Sequence, residues 1–233
     1  MFRFIVLSLC LLIVRTGLGQ QDELHALCGQ LDKTLSGPGN LHARYSLTIT
    51  SRDELSDRQT LVSNLYKNGA STRIQTGDMQ DIFFDGRISL LINHVQKIMV
   101  LEEGALSGQG SVSMVENLSL LVREASGVVR TEKNGLISFV LTFPQDFMYT
   151  KARIDFTARD KMLKNIYADF SPAYPEPFHS MELNYQVWDQ KWKPGPDFHS
   201  YDYYVTKDTN GYRTTDRWRD YQLYQPQYGT LKF

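Results

Sequence analysis

Residues 43–51 read Ala-Arg-Tyr-Ser-Leu-Thr-Ile-Thr-Ser, and this stretch decides the fold class. Tyr45, Leu47 and Ile49 alternate with polar residues, so a strand built from them has one apolar face and one polar face. The same alternation recurs along the chain, with turn dipeptides such as Asn68-Gly69 between the apolar runs. Because short turns join antiparallel neighbours, the sequence predicts an antiparallel meander.

The order of the predicted elements places one helix before the strands and a second helix among them. Apolar residues at helical spacing, Cys28 included, predict the first helix over residues 22–35. The capping-box spacing of Ser113 and Glu116 predicts the second over residues 113–125. This order is typical of an α+β, mainly β protein in which a strongly curved antiparallel sheet packs around one or two helices. Strands are predicted over residues 43–51, 61–67, 72–76, 79–84, 87–93, 95–101, 127–133, 136–143, 152–158, 162–170 and 180–188.

The first 20 residues have the features of a secretory signal peptide. Arg3 is followed by an apolar run over residues 4–14 and by small residues, which predicts cleavage after Gly19 or Gln20. The apolar run has about 11 residues, whereas a membrane span needs about 20, so a permanent anchor is the less favoured alternative. Cleavage leaves Cys28 as the single cysteine of the exported chain, which excludes an internal disulfide.

Charge and size limit the class of protein further. The 233 residues include 25 Lys and Arg against 26 Asp and Glu. Loss of Arg3 and Arg15 with the leader brings the net charge to about −3, and a chain without a basic excess is not expected to bind nucleic acid. Residues 21–233 are enough for one domain with a sizeable core. We expect this domain to be a monomer with an aromatic-rich C-terminal extension from about residue 189.

The sequence contains no signature of catalysis or of metal binding. No histidine stands at metal-ligand spacing from another histidine or from cysteine, and the nucleophile, phosphate-loop and dinucleotide patterns are absent. We therefore expect no catalytic residue, no metal and no cofactor. One alternative stays open, a secreted hydrolase whose two carboxylates come together only in the fold. The histidines are His25, His42, His94, His179 and His199.

The last quarter of the chain is rich in aromatic residues. Residues 178–233 contain 14 of the 28 aromatic residues, including Trp188, Trp192 and Trp218. Aromatic side chains favour strands and bury large areas, so packing on the core is the first interpretation. Exposed Trp and Tyr clusters also bind proteins and sugars, which is the second interpretation.

A glycine-rich segment precedes the second predicted helix. Residues 104–110 read Gly-Ala-Leu-Ser-Gly-Gln-Gly, and the helix that follows has Met114, Leu118 and Leu121 on its apolar face. A flexible hinge before an amphipathic helix fits a movable lid, with these three residues as the lid candidates. An ordinary crossover helix fits the pattern equally well.

Five segments carry a family resemblance through their order and spacing. They are the helix Leu24 to Leu31, the strand Tyr45 to Ile49, the stretch Leu65 to Ile74, the turn Phe84 to Arg87 and the hairpin Ile154 to Ile166. They resemble the LolA-like family of periplasmic carriers, which includes the outer-membrane lipoprotein carrier proteins. The resemblance implies an unclosed barrel, in which a curved sheet wraps helices and encloses an apolar cavity for acyl chains. It implies a periplasmic location and nothing catalytic.

The sequence departs from that family at one early turn. The lipoprotein carriers have an Arg-Pro pair in an early strand, and its arginine helps to control the lid. The matching positions here are Asn68-Gly69. A latch through that arginine is therefore not expected in this chain.

The leader, the alternating strands and the resemblance together predict a non-enzymatic periplasmic carrier or binder. Its expected partner is a lipid or the acyl chain of a lipidated protein. The alternative is a cell-envelope interaction module that binds a protein or a glycan through the aromatic C-terminal region. For the carrier, the ligand-lining candidates are the apolar-face residues Tyr45, Leu47, Ile49, Ile74, Phe139, Leu141, Ile154, Phe156, Leu183 and Tyr185.

Overall fold

A computed structural model describes most of the chain. The described residues are 2–53, 57–103, 113–175, 177–195, 198–209 and 211–225, and only the backbone is described for residues 2–18 and 113–117. The glycine-rich segment 104–110, which the sequence suggests as a hinge, lies outside the described residues.

Two α-helices and many strands make up the described chain. The helices are α1 (Phe2–Ser36) and α2 (Ser113–Glu124), and short 3-10 helices lie at Tyr201–Tyr203 and Asp216–Trp218. The predicted fold class, α+β and mainly β, is confirmed. The strands are β1 (Asn40–Ser51), β2 (Arg58–Asn68), β3 (Ser71–Thr76), β4 (Gln80–Phe84), β5 (Ile88–Asn93), β6 (Ile98–Glu103), β7 (Gly127–Lys133), β8 (Leu136–Thr142), β9 (Tyr149–Thr157), β10 (Leu163–Phe170), β11 (Phe178–Asp189), β12 (Val205–Asp208), β13 (Gly211–Thr214) and β14 (Gln222–Tyr224).

Twelve of these strands share one sheet. Their order is β14-β6-β5-β4-β3-β2-β1-β11-β10-β9-β8-β7, and β12 pairs with β13 in a separate two-stranded sheet. Consecutive strands from β2 to β6 and from β7 to β11 pair antiparallel, whereas β14 joins the edge of β6 in parallel. The two ends of this order are different strands that do not pair, so the described sheet is not closed into a barrel, as predicted.

Strands β1 to β11 and helix α2 agree closely with the predicted elements, whereas the first helix differs and β12, β13 and β14 lie beyond the last predicted strand. Strand β7 has the predicted bounds, and most other strands differ from prediction by a few residues at either end. Helix α1 is continuous from Phe2, whereas the sequence predicts it from residue 22. The leader is rich in leucine and contains no proline, so nothing in it interrupts the helix. No helix within the described residues has the length and apolar character that crossing a membrane requires.

The chain divides into two compact units. Unit 1 comprises Met1–Lys33, Ser46–Thr60 and Met114–Gln186. Unit 2 comprises Thr34–Tyr45, Leu61–Ser113 and Val187–Phe233.

Unit 1 has an apolar core built from strands and helices. On β8, Ile137, Phe139 and Leu141 alternate with polar or half-buried residues and are 0 % exposed. On α1, Leu24 and Leu27 are buried as well, at the helical spacing that the sequence predicts.

Unit 2 has a separate core beneath the C-terminal segment, a name used here for residues 198–225. Leu90 and Ile92 of β5 and Met99 of β6 are 0 % exposed. They form one cluster with Tyr204 and Val205 of the C-terminal segment. The segment therefore completes the core of this unit.

Candidate functional site

Six of the ten predicted lining residues lie together in unit 1. The strand register aligns Phe139 with Ile154 and Ile154 with Ile166, so one face of β8, β9 and β10 is continuous. Phe139, Leu141, Ile154 and Phe156 are 0 % exposed. These side chains are packed core in this structure, and an acyl chain reaches them only if another element moves. The six residues are Phe139, Leu141, Ile154, Phe156, Leu183 and Tyr185.

Helix α2 contributes two of the three lid candidates to the buried part of unit 1. Leu118 and Leu121 are buried, and Gln21 Nε2 of α1 donates to the carbonyl oxygen of Val122 at 3.3 Å. The side chain of Met114 lies outside the described residues. The two described candidates are packed in this structure, and movement of α2 stays a prediction.

The other four lining candidates are divided between the units. Leu47 and Ile49 belong to unit 1 and are half-buried. Tyr45 and Ile74 belong to unit 2, where Tyr45 is buried and Ile74 is half-buried. Burial raises the pKa of the Tyr45 phenol, so this side chain acts as an apolar packing group with a protonated hydroxyl.

Ile74 belongs to a row of apolar side chains that crosses unit 2, called here the apolar stripe. The registers of β2 to β6 align Leu65 with Ile74, Ile74 with Ile82, Ile82 with Leu91, and Leu91 with Val100. Leu65 is buried and the other four side chains are half-buried. With neighbouring strands about 4.8 Å apart, the stripe is about 19 Å long.

Of the five residues in this stripe, only Ile74 is among the lining candidates predicted from the sequence. The other four residues lie in predicted strands and also alternate with polar or oppositely facing neighbours. The missing information was the register, because a row across strands depends on which residue faces which.

The opposite face of β4 to β6 is covered by the C-terminal segment. Phe83, Leu90 and Leu101 are aligned on this face and are buried with Tyr204 and Val205 in one cluster. Burial raises the pKa of Tyr204 to about 12. Six aromatic residues of this segment belong to the cluster or pack against it, in agreement with the first of the two interpretations of the sequence, whereas Tyr224 is 45 % exposed.

A buried carboxylate connects the C-terminal segment to the sheet. Asp81 is 2 % exposed, and its Oδ2 accepts from Arg73 at 2.9 Å and contacts His94 Nε2 at 3.2 Å. The Nδ1 atom of His94 is 2.9 Å from the Tyr221 hydroxyl. Burial raises the pKa of Tyr221, so its phenol stays protonated. This chain of contacts joins Tyr221 of the C-terminal segment to β4 and holds the segment in place.

A buried lysine lies beside the Asn68-Gly69 turn. Lys67 Nζ donates to the carbonyl oxygens of Gly39 at 2.9 Å and Gly69 at 2.8 Å, and also to that of Gly37. Asn68 ends β2, and Gly69 has a φ of 61°, a left-handed conformation that favours glycine at this turn. Burial lowers the pKa of Lys67. Through these hydrogen bonds, Lys67 connects the backbone at Gly37 and Gly39 to the backbone at Gly69.

The hydrolase alternative requires two carboxylates close together in a cleft. Buried Asp81 of unit 2 is ion-paired, and so is buried Asp155 of unit 1, with Arg153 at 3.1 Å. In each of two cavities lined by described residues there is one carboxylate, Asp85 in one and Glu182 in the other. In the described part of the chain, no group of three or more His, Cys, Asp or Glu residues could hold a metal ion. Neither cavity is lined by any of the ten predicted candidates.

The chain is similar to solved structures of the LolA superfamily and of other families. It matches a LolA superfamily protein from Nitrosomonas europaea at 9 % identity and a TM-score of 0.37, over 76 % of this chain and 97 % of that one. A DUF1329 family protein from Desulfovibrio piger matches at 8 % identity and 0.41, over 78 % and 98 %. The lipoprotein LppX from Mycobacterium tuberculosis matches at 12 % identity and 0.33, over 72 % and 97 %. All three similarities are distant.

Comparison of the sequence itself with known families and proteins gives no match. No family model matches the chain, and no curated protein does.

Proposed function

We propose that the protein is a non-enzymatic carrier or binder of a lipid, or of the acyl chain of a lipidated protein. It acts as a monomer in the periplasm after cleavage of the signal peptide in residues 1–20. The single observation that carries this proposal is the apolar stripe of unit 2. Four of its five side chains are half-buried, so an acyl chain laid across them removes apolar surface from water.

The length of the apolar stripe matches an extended acyl chain better than a small cyclic ligand. Its aligned side chains, Leu65, Ile74, Ile82, Leu91 and Val100, cross five strands and about 19 Å. Burial of each CH₂ group contributes about 0.8 kcal/mol, so about ten groups contribute roughly 8 kcal/mol before the cost of association. Binding of that strength is reversible, which a carrier needs.

The polar groups of the described chain favour binding over catalysis. The buried carboxylates Asp81 and Asp155 are held in ion pairs, and the phenol of Tyr221 is kept protonated. General acid–base work needs a titratable group in reach of a bound substrate. The apolar stripe carries no such group.

Binding of a fluorescent fatty acid to the mature protein tests the proposal. Leu91 lies in the middle of the stripe, and Leu91→Asp places a charge there, so we expect binding to weaken at least tenfold. The matched control is Val95→Asp, because Val95 is 73 % exposed in the turn between β5 and β6. We expect the control to bind as the unaltered protein does.

Two outcomes contradict the proposal. One is an unaltered protein that takes up no fatty acid. The other is a Leu91→Asp protein that binds as tightly as the unaltered one. Near-ultraviolet circular dichroism establishes that both variants are folded. Leu91→Asn, a smaller change, repeats the test if the aspartate variant is unfolded.

An aromatic cluster in unit 2 favours a second candidate, the cell-envelope interaction module. The Trp192 ring lies 5.5 Å from the Tyr66 ring and 6.4 Å from that of His42, and all three are half-buried. Partly open aromatic clusters bind proteins and sugars. For this candidate, Trp192→Ala abolishes binding of cell-envelope glycan fragments and leaves fatty-acid binding intact. Unchanged glycan binding in that variant argues against it.

A further inference from the structure

Unit 1 contains a polar cavity of about 210 Å³ that the sequence did not reveal. It lies between the ends of β1, β2, β10 and β11, and Tyr167 and Glu182 on its wall are aligned partners in the β10–β11 register. Leu183, the next residue on β11, is buried on the opposite, apolar face. A single water needs about 10–15 Å³, so the cavity has room for a small polar ligand.

Hydroxyl groups form the inner wall of this cavity. Thr50 and Ser180 are both 7 % exposed, and both line it. Tyr167 also lines it, and its hydroxyl donates to Asp169 Oδ1 at 2.5 Å. That bond fixes the tyrosine ring, and the phenol oxygen in turn accepts from the Ser180 hydroxyl. The wall therefore offers both donors and acceptors in fixed positions.

Two opposite charges line the same cavity without forming an ion pair. Arg58 is exposed and Glu182 is half-buried. Within the described residues, neither side chain is ion-paired with the other or with a third residue. His179 adds a second nitrogen-bearing side chain to the wall. Separated charges of opposite sign are complementary to a ligand that itself carries both charges.

We propose that this cavity binds a small zwitterion that carries a phosphate and a primary ammonium group, as phosphoethanolamine does. Arg58 donates to the phosphate, because a guanidinium matches phosphate oxygens with two parallel hydrogen bonds. The Thr50 hydroxyl donates to the same group. Glu182 accepts from the ammonium group. The ligand contains no acyl chain at this site, so the inference does not depend on the apolar stripe.

The same chemistry has two sources, a free metabolite and the head group of phosphatidylethanolamine. Calorimetric titration of the full mature chain with free phosphoethanolamine tests the site itself. Inorganic phosphate and ethanolamine are titrated separately for comparison. We expect phosphoethanolamine to bind at least tenfold more tightly than either half alone, because each half reaches only one of the two charges.

Two variants and two controls identify the residues. Glu182→Gln keeps the size of the side chain, and we expect phosphoethanolamine affinity to fall to that of phosphate while phosphate affinity stays unchanged. Arg58→Gln weakens phosphate and phosphoethanolamine together, by about tenfold. Asp146→Asn and Arg159→Gln change exposed residues of unit 1 outside this cavity and leave all affinities unchanged.

Three results overturn the inference. They are an absence of phosphoethanolamine binding, equal binding of phosphate and phosphoethanolamine by the unaltered protein, and binding that neither variant weakens. If the site is confirmed, flotation with phosphatidylethanolamine and phosphatidylcholine vesicles separates the sources. Selective flotation with phosphatidylethanolamine supports the head group, and binding of the free molecule alone supports the metabolite.

Discussion

Asp81 shows how much a single buried charge contributes to the attachment of the C-terminal segment. It is paired with Arg73 and lies 3.2 Å from His94, which in turn contacts Tyr221 of the segment. Breaking a buried ion pair by removing one partner leaves the other charge without compensation. Each of these polar contacts has an identified partner, so a single substitution tests its contribution to the stability of unit 2.

Asp81→Asn is expected to lower the free energy of unfolding by about 3 kcal/mol. The amide keeps the shape of the side chain but leaves the Arg73 guanidinium, which is largely buried, without its counter-charge. Urea denaturation measures the change. Asp78→Asn, at an exposed position in the turn before β4, serves as control and should change stability by less than about 0.5 kcal/mol. Equal stability of the two variants would contradict this account of the cluster.

Cys28 provides a prediction about pH. Burial raises the pKa of its thiol from 9.0 to about 11, and the side chain is 2 % exposed. The unfolded chain loses this proton first, so stability is fully present below pH 9 and falls as the pH rises toward 11, by at most about 2–3 kcal/mol. Denaturation curves between pH 8 and pH 11 check this.

Cys28→Ala removes the titrating group and serves as the control for that experiment. We expect its stability to fall less steeply between pH 9 and pH 11 than that of the unaltered protein. The thiol of the folded protein should also react slowly with a water-soluble thiol reagent at neutral pH. Rapid labelling without denaturant would show that the thiol is not buried.

At the scale of elements, the buried side chains of the C-terminal segment and the ion pairs at its surface contribute differently to the stability of the folded protein. Tyr204 is 3 % exposed within the core cluster of unit 2. Asp220 pairs with Lys97 at 2.6 Å, but both side chains are more than half exposed. Tyr204→Ala should destabilise the protein by about 3–4 kcal/mol. Asp220→Asn should have a much smaller effect on stability, because solvent screens an exposed ion pair. Thermal and urea unfolding measure both, and a larger effect of Asp220→Asn would contradict this packing.

The elements themselves could largely be predicted from the sequence, and their arrangement could not. Alternation such as that of Ile137, Phe139 and Leu141 identifies a strand without reference to the rest of the chain. The polar cavity combines Thr50 with Ser180, which are far apart in sequence, and their proximity depends on strand order. The apolar stripe depends on register in the same way. Neither property is encoded in a local pattern.

At the scale of the whole molecule, export is the first requirement of the proposed function. The leader carries one early arginine, an apolar run and small residues before Gln20. We expect the protein recovered from the periplasm to begin at Gln20 or Gln21, and intact-mass measurement checks this. Arg3→Glu, which reverses the early positive charge, should reduce export. A periplasmic or membrane-bound product that keeps residues 1–19 would argue for an anchor instead.

Native mass spectrometry of the exported protein, purified without detergent, tests the central claim most directly. If the apolar stripe holds an acyl chain, the spectrum of the unaltered protein contains adducts with the mass of a lipid. The adducts are lost in Leu91→Asp and kept in Val95→Asp, because only Leu91 lies in the stripe. A spectrum that shows only the bare protein, or adducts that persist equally in both variants, would contradict the claim.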